Sequence, residues 1–295
     1  MSEFIGGLWV ALATPLTLSG DIDHAAFATH AQNLLTQGCD GVVLFGTTGE
    51  GTSFAGDERL AATEALLEAG IPAARIAVGT GSPSTRETVA LTRGVLALAV
   101  RHVLVLPPFF YRGVDAIGIE AAFASVIDGV NDDRLRATLY HIPQVSGVAV
   151  PPSALANLRA RYGALLAGVK DSSGNFADFQ AFRAACPDAA VTIGNEADIG
   201  RALAEGGTGT ICGLGNLVPD LVRAMFTDGG AVEPMRRVMA LISDPFVPVV
   251  KSALAALTGE PAFDRLRAPL RTVDPAIGRR IADAIRAGAA GRVAA

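Results

Sequence analysis

The sequence predicts a closed (β/α)8 barrel with a C-terminal helical appendage. Three observations predict it. Short apolar runs alternate with helix-patterned stretches eight times along the first three quarters of the chain. Successive runs begin roughly 20–35 residues apart, the length of one βα unit. Such alternation implies a parallel sheet, and eight units are the count at which one closes. Finally, the polar groups best suited to chemistry fall at the C-terminal ends of the predicted strands. In a closed barrel those ends share one face. An open, doubly wound sheet is the alternative, because a count alone does not require closure.

In order, Leu8 to Thr14 reads as strand one, stopped by Pro15. Asp23 caps a helix to about Gln37, with Gly38 as its stop. Gly41 to Phe45 is strand two, followed by Gly46-Thr47-Thr48-Gly49-Glu50 and a helix over 57–69. Arg75 to Val78 is strand three, and Ser84 caps the helix through Leu98. His102 to Leu106 is strand four, halted by Pro107-Pro108, and Asp115 opens the next helix. Arg136 to Tyr140 is strand five, stopped at Pro143, and a helix covers Pro152 to Tyr162. Strand six ends at Lys170, and a helix runs from about Phe176 to Ala185. Ala189 to Ile193 is strand seven, followed by a short helix to Glu205, and Thr208 to Cys212 is strand eight. This places the barrel in residues 1–225 and a helical region, packed on the barrel or on a neighbouring subunit, in 226–295.

Half of the 295 residues are hydrophobic and 18% are charged, so a large core is expected. The net charge of −5, with no basic stripe or stacking-aromatic cluster, argues against a nucleic-acid partner. Cys39, Cys186 and Cys212 are odd in number and widely spaced, which reads as reduced core thiols. No apolar run is long enough to span a membrane without interruption, and Met1 to Pro15 lacks a basic leader. A soluble, cytoplasmic protein with no membrane partner is expected. His24, His30, His102 and His141 lie far apart without ligand spacing, so no metal is expected, and His24 and His30 read as solvated helix residues.

The chemistry centres on Leu165 to Asn175. An apolar run ends in Lys170, and the turn-prone Asp171-Ser172-Ser173-Gly174-Asn175 follows, with Ser172, Ser173 and Asn175 able to cap the next helix. An amine at that boundary is partly desolvated, which leaves more of it free to attack a carbonyl. A strand-end lysine that snorkels to solvent is the alternative reading. Its company favours the first. Tyr140, one strand away, can shuttle a proton through its phenol, assisted by the Thr48 hydroxyl. The hydroxyls and backbone N–H groups of Thr47 and Thr48, in a glycine-flanked loop, can hold a carboxylate. Glu50 and Asp171 are expected to orient loops. Lys170, Tyr140 and Thr48 are therefore the candidate catalytic groups, acting on a small-molecule 2-keto acid.

These segments resemble the dihydrodipicolinate synthase and N-acetylneuraminate lyase family of class I, pyruvate-dependent aldolases. Gly46-Thr47-Thr48-Gly49-Glu50 is similar to the family's carboxylate-binding loop, and Tyr140-His141-Ile142-Pro143 to its Tyr-Asn-x-Pro segment. Gly168-Val169-Lys170-Asp171-Ser172-Ser173-Gly174-Asn175 resembles its Schiff-base segment almost letter for letter. Gly209-Thr210-Ile211 and Asn216-Leu217-Val218-Pro219 are similar to its strand-eight region, and Pro245 to Lys251 to a Pro-Val-Lys stretch in its C-terminal helices. The resemblance implies a covalent imine on Lys170, an Ile211 carbonyl facing that lysine, no metal or other cofactor, and a homotetramer built as a dimer of dimers.

Three positions depart from the family pattern. Val145 stands where an arginine holds the second substrate's carboxylate in dihydrodipicolinate synthases, and valine cannot make that bidentate pair. Phe109-Phe110 replaces a Tyr-Tyr pair, one member of which reaches into a neighbouring subunit's site, so Phe110 would line the substrate site without relaying a proton. His141 replaces an asparagine. These departures favour a 2-keto-3-deoxy sugar acid or similar hydroxylated 2-keto acid, with Gly194 and Glu196 of Gly194-Asn195-Glu196 placed to bind hydroxyls; an ordinary helix cap is the other reading of that segment. Dihydrodipicolinate synthase itself and a non-catalytic 2-keto-acid sensor are the alternatives.

Overall fold

Each predicted apolar run forms a strand buried on both faces, and the strands pair in sequence order. The computed structural model describes residues 3–227 and 231–293. Strands β1 (Gly7–Ala11), β2 (Gly41–Leu44), β3 (Ile76–Gly79), β4 (His102–Val105), β5 (Arg136–His141), β6 (Leu166–Asp171), β7 (Ala190–Ile193) and β8 (Gly209–Cys212) form a closed parallel barrel. The pairing of β1 with β8, Trp9 opposite Ile211, closes it and rules out the open sheet. Inside lies a small cluster that includes Trp9, Val43, Ala77, Leu104, Tyr140 and Ile211; the outer faces of the strands meet the helices in a larger core.

The helices between strands are α1 (His24–Thr36), α2 (Gly56–Glu68), α3 (Thr85–Ala97), α4 (Ala116–Val130), the single turn α5 (Pro143–Ser146), α6 (Pro152–Tyr162), α7 (Phe176–Ala185) and α8 (Ile199–Ala204). The predicted caps at Asp23, Ser84, Asp115 and Asn175 do cap, whereas Ser172 and Ser173 do not cap α7. Asp23 accepts from the Ala26 N–H at 3.0 Å, Asp115 from Gly118 at 2.8 Å and Asn175 from Ala177 at 3.3 Å. After β8 come α9 (Pro219–Ala224), α10 (Val232–Leu241), α11 (Phe246–Thr258) and α12 (Pro275–Val293). Met235, Val250, Leu254 and Ile281 of these helices belong to the same core as the outer barrel face. Within the 226–295 region, residues 228–230 and 294–295 lie outside the described residues, as do residues 1–2 at the start of the barrel region. Among the described residues no single helix is long and apolar enough to cross a membrane.

Three local expectations are corrected. Strand one ends at Ala11 rather than Thr14, because side chains take over its hydrogen bonding: the Asn216 carboxamide accepts from the Ala13 N–H at 3.1 Å, and the Thr14 hydroxyl donates to the Gly49 carbonyl at 2.8 Å. Strand two ends at Leu44, because Phe45 adopts φ +58° and turns the chain. His30 is not solvated. The inner face of α1 buries it, with Nε2 2.9 Å from the Asn216 Oδ1 and its ring edge-on to Phe263.

Candidate active site

Parallel pairing of β5 and β6 puts Tyr140 directly beside Lys170. Side chains alternate across a strand, so the residues that pair in register share a face, and this pair shares the barrel interior. Both are 3% exposed, and the Lys170 Nζ lies 4.3 Å from the centroid of the Tyr140 ring. Gly168 makes the neighbouring approach possible: a Cβ there would sit 2.0 Å from the Ala190 carbonyl oxygen, so any side chain would push β7 away. On β7, Thr192 is in register with Lys170, and its buried hydroxyl has no hydrogen-bond partner among the described residues. Sequence reasoning passed over Thr192; its place two residues before Gly194, inside a predicted strand, was the available signal.

Asp171, next along β6, points to the opposite face. Its carboxylate accepts from the Ser173 N–H at 2.9 Å and shapes the turn after the strand. Burial raises its pKa, against the Ser173 hydrogen bonds. His141, next along β5, also points away from the lysine. Its Nδ1 accepts from the Val150 N–H at 3.0 Å, which leaves Nε2–H facing Asp178 at 3.4 Å. Its substitution for asparagine therefore does not alter the wall around Lys170.

The loop after β2 is held in an unusual shape. Phe45 and Glu50 at its two ends both have left-handed backbone, φ +58° and +55°. For residues with bulky or long side chains this conformation is costly and needs support. Glu50 supplies it: its buried carboxylate pairs with the fully buried Lys251 of α11 and accepts from the Arg267 N–H at 3.3 Å. Desolvation lowers the Lys251 pKa, opposed by the Glu50 charge. Within the loop, Thr47 places its hydroxyl 3.1 Å from that of Tyr140. The sequence expectation that Thr48 assists Tyr140 is corrected here. Thr47 holds that place, and Thr48 turns its hydroxyl toward Gly213.

The remaining candidates fall in different places. Ile211 is fully buried in the interior cluster with Tyr140. Glu196 is buried, and its Oε1 accepts from the Leu214 N–H at 2.9 Å; burial raises its pKa, while that hydrogen bond and the Lys170 charge oppose the rise. Gly194 donates its N–H to the Asp171 carbonyl at 2.7 Å, and a Cβ there would meet the Ser172 hydroxyl at 2.1 Å. Phe110 does not line the site of its own chain: it is 74% exposed and stacks edge-on with Tyr111, whereas Phe109 faces inward. Asn216, grouped by sequence with the strand-end polar residues, is consumed as a brace, donating to the Ala11 and Gly213 carbonyls at 2.8 Å each. Among the described residues no cluster of three His, Cys, Asp or Glu side chains could hold a metal ion.

A cavity of about 300 Å³ opens at the C-terminal ends of β2 to β5. Tyr140 and Thr47 line it, with Leu104, Leu106, Phe109 and Ile142 among its apolar wall; Lys170 does not line it, so Tyr140 is the residue shared by the amine and the cavity. The arrangement brings together a buried amine, a phenol with a hydroxyl partner, and a space for an organic ligand. Those parts suffice for amine attack on a carbonyl with proton transfer through the phenol.

The model of the dihydrodipicolinate synthetase family matches residues 4–287. The chain is 33% identical to an uncharacterized DapA-like lyase of Chloroflexus aurantiacus, over 90% of each chain. It is 29% identical to a 4-hydroxy-tetrahydrodipicolinate synthase of a Synechococcus strain, over 96% of this chain and 95% of that one. Among solved structures, dihydrodipicolinate synthase from Agrobacterium tumefaciens superposes with a TM-score of 0.90 at 34% identity, covering 96% of this chain and 99% of that one.

Proposed function

The chain belongs to the dihydrodipicolinate synthetase family, and from that premise we propose that it is a Schiff-base lyase acting on pyruvate or a related 2-keto acid. The observation that carries this reading is the register pair Tyr140–Lys170, buried on the inner barrel face with the amine against the phenol ring. Lys170 attacks the keto carbon, and water leaves as the imine forms. Loss of a proton from the adjacent methyl group yields an enamine. The enamine adds to an aldehyde, and water hydrolyses the resulting imine to free a hydroxylated 2-keto acid and the amine; the reverse steps cleave such an acid. Tyr140 carries the proton to and from the hydroxyl oxygen, with Thr47 as its partner. Thr48 and the N–H groups of its loop hold the carboxylate, and the Ile211 carbonyl orients the lysine. Glu196, whose carboxylate accepts from the Leu214 N–H and feels the charge of Lys170, takes a ligand hydroxyl. No metal takes part.

A second reading is 4-hydroxy-tetrahydrodipicolinate synthase, the name borne by several relatives. Val145 counts against it. This side chain stands at the cavity lip, 61% exposed, and offers no donor to a second carboxylate. The proposed enzyme is cytoplasmic and assembles as a homotetramer, for which exposed Phe110 and Tyr111 supply apolar surface. The test is reduction with borohydride in the presence of pyruvate, followed by peptide mass mapping. A reduced pyruvyl group on Lys170 is expected, and an unlabelled Lys170 rejects the reading.

A further inference from the structure

One arginine in the cavity wall sets the charge of the second substrate. On the reading that Lys170 forms the imine, we infer that the electrophile is an aldehyde bearing an anionic group, carboxylate or phosphate, and that the Arg59 guanidinium receives that group. Arg59 belongs to α2, lines the same cavity as Tyr140 and Thr47, and is 7% exposed. Its own hydrogen bonds go to neutral groups. Nε donates to the Phe54 carbonyl at 3.1 Å and Nη1 to the Gly79 carbonyl at 3.0 Å. They fix the planar group against the end of β3 and leave Nη2 without a partner among the described residues. Nor does a carboxylate of the described residues pair with it. Glu58, next to it in sequence, is bound to Arg267, and Glu87 accepts from the Ser82 hydroxyl at 2.7 Å. Burial lowers the Arg59 pKa from 12.5 to about 10, opposed by the charges of Glu87 and Glu58, so it is a cation at neutral pH. A cation held out of water without a counter-charge is costly, and an anionic ligand that supplies one recovers part of that cost.

Arg59 borders two hollows, and charge chooses between them. The outer one also carries Asp57 and Glu87, which repel an anion. In the inner one Glu50, the one carboxylate among the described lining residues, is paired with Lys251. The anion is therefore favoured on the side of Tyr140. Thr52 and Ser53, on the loop just before Phe54, line this cavity too. Their hydroxyls make no hydrogen bond among the described residues, so they are donors for the anion's remaining oxygens. Leu104, Leu106, Phe109 and Ile142 supply an apolar wall for the carbon chain. The donor that position 145 lacks is thus supplied from α2. A substrate ammonium finds no such partner, because Glu50 is taken, so a simple anion suits this wall better than a zwitterion. In the reaction the enamine carbon bonds to the aldehyde carbon, the carbonyl oxygen takes the Tyr140 proton, and water hydrolyses the imine; Arg59 touches none of these atoms and acts on binding.

The experiment uses the full-length protein with pyruvate and two matched pairs of aldehydes: succinic semialdehyde against its methyl ester, and glyceraldehyde 3-phosphate against glyceraldehyde. Product is identified by mass and kcat/KM compared, with borohydride trapping of pyruvate run in parallel. In at least one pair the charged member is expected to exceed its neutral partner by about 10–100-fold, the worth of a hydrogen bond to a charged group. The pair that shows it tells carboxylate from phosphate. Arg59→Gln is expected to shrink that ratio by about tenfold through the aldehyde KM. Arg59→Lys, which keeps the charge but not the planar fork, should fall between. The ratio compares two substrates on one variant, so a general loss of folded protein cancels from it. Labelling of Lys170 with no preference for the charged member of either pair overturns the inference alone, as does a preference that survives undiminished in whichever of the two variants folds. An unlabelled Lys170 overturns the imine reading and this inference with it.

Discussion

At the residue scale, the phenol and its partner carry distinct, separable roles. Tyr140→Phe keeps the ring against Lys170 but removes the proposed proton carrier. Turnover is expected to fall by about 10²–10⁴-fold, the contribution typical of a positioned acid–base group, while the fold melts as before. Thr47→Val should lower kcat, since its hydroxyl meets the phenol, whereas Thr48→Val should act chiefly on the KM for pyruvate. Steady-state kinetics on the three variants checks the assignment. His30 makes a different prediction. Burial depresses its pKa from 6.5 to about 4, so between those values the unfolded chain binds a proton that the native state does not. Its share of stability is complete above pH 6.5 and is lost as pH falls toward 4, by about 3 kcal/mol in all. Urea melts across that range should show the loss, and His30→Gln should flatten it.

At the element scale, the loop between β2 and α2 depends on a helix about two hundred residues away. Glu50 holds its left-handed backbone through Lys251 on α11, and both side chains are fully buried. Lys251→Met leaves the Glu50 charge uncompensated and should destabilise the protein by about 3–5 kcal/mol. The double variant Lys251→Met with Glu50→Gln should recover part of that loss, measured by denaturant midpoints. The helices were legible because their punctuation is local: Asp23, Asp115 and Asn175 each bond the N–H two or three residues on. The turn at Phe45 was not, since nothing in an apolar aromatic marks positive φ; the conformation is imposed by packing of Gly51 and Gly79 against its carbonyl.

At the scale of the whole molecule, closure of the barrel makes one mouth out of eight strand ends. The C-terminal helices complete that mouth as well as the core: Val247 of α11 and Pro269 and Leu270 after it line the cavity. The surface of the single chain leaves Phe110, Tyr111 and Ile117 each more than 70% exposed. Such a patch is expected to be covered in the proposed tetramer. Sedimentation of the wild type should show one assembled species. Phe110→Lys combined with Ile117→Lys should shift it toward smaller ones, and an unaltered distribution would place the contact elsewhere.

By itself the sequence determined the count and kind of elements, the position of Lys170 at a strand end, and the family, because periodicity, caps and short motifs are local in the chain. Only the tertiary structure decided which of two adjacent threonines meets Tyr140, that Phe109 and not Phe110 faces the cavity, and that Asn216 and His30 are internal braces. Those outcomes depend on the side to which each residue turns and on what arrives there from far along the chain, and no single stretch encodes both.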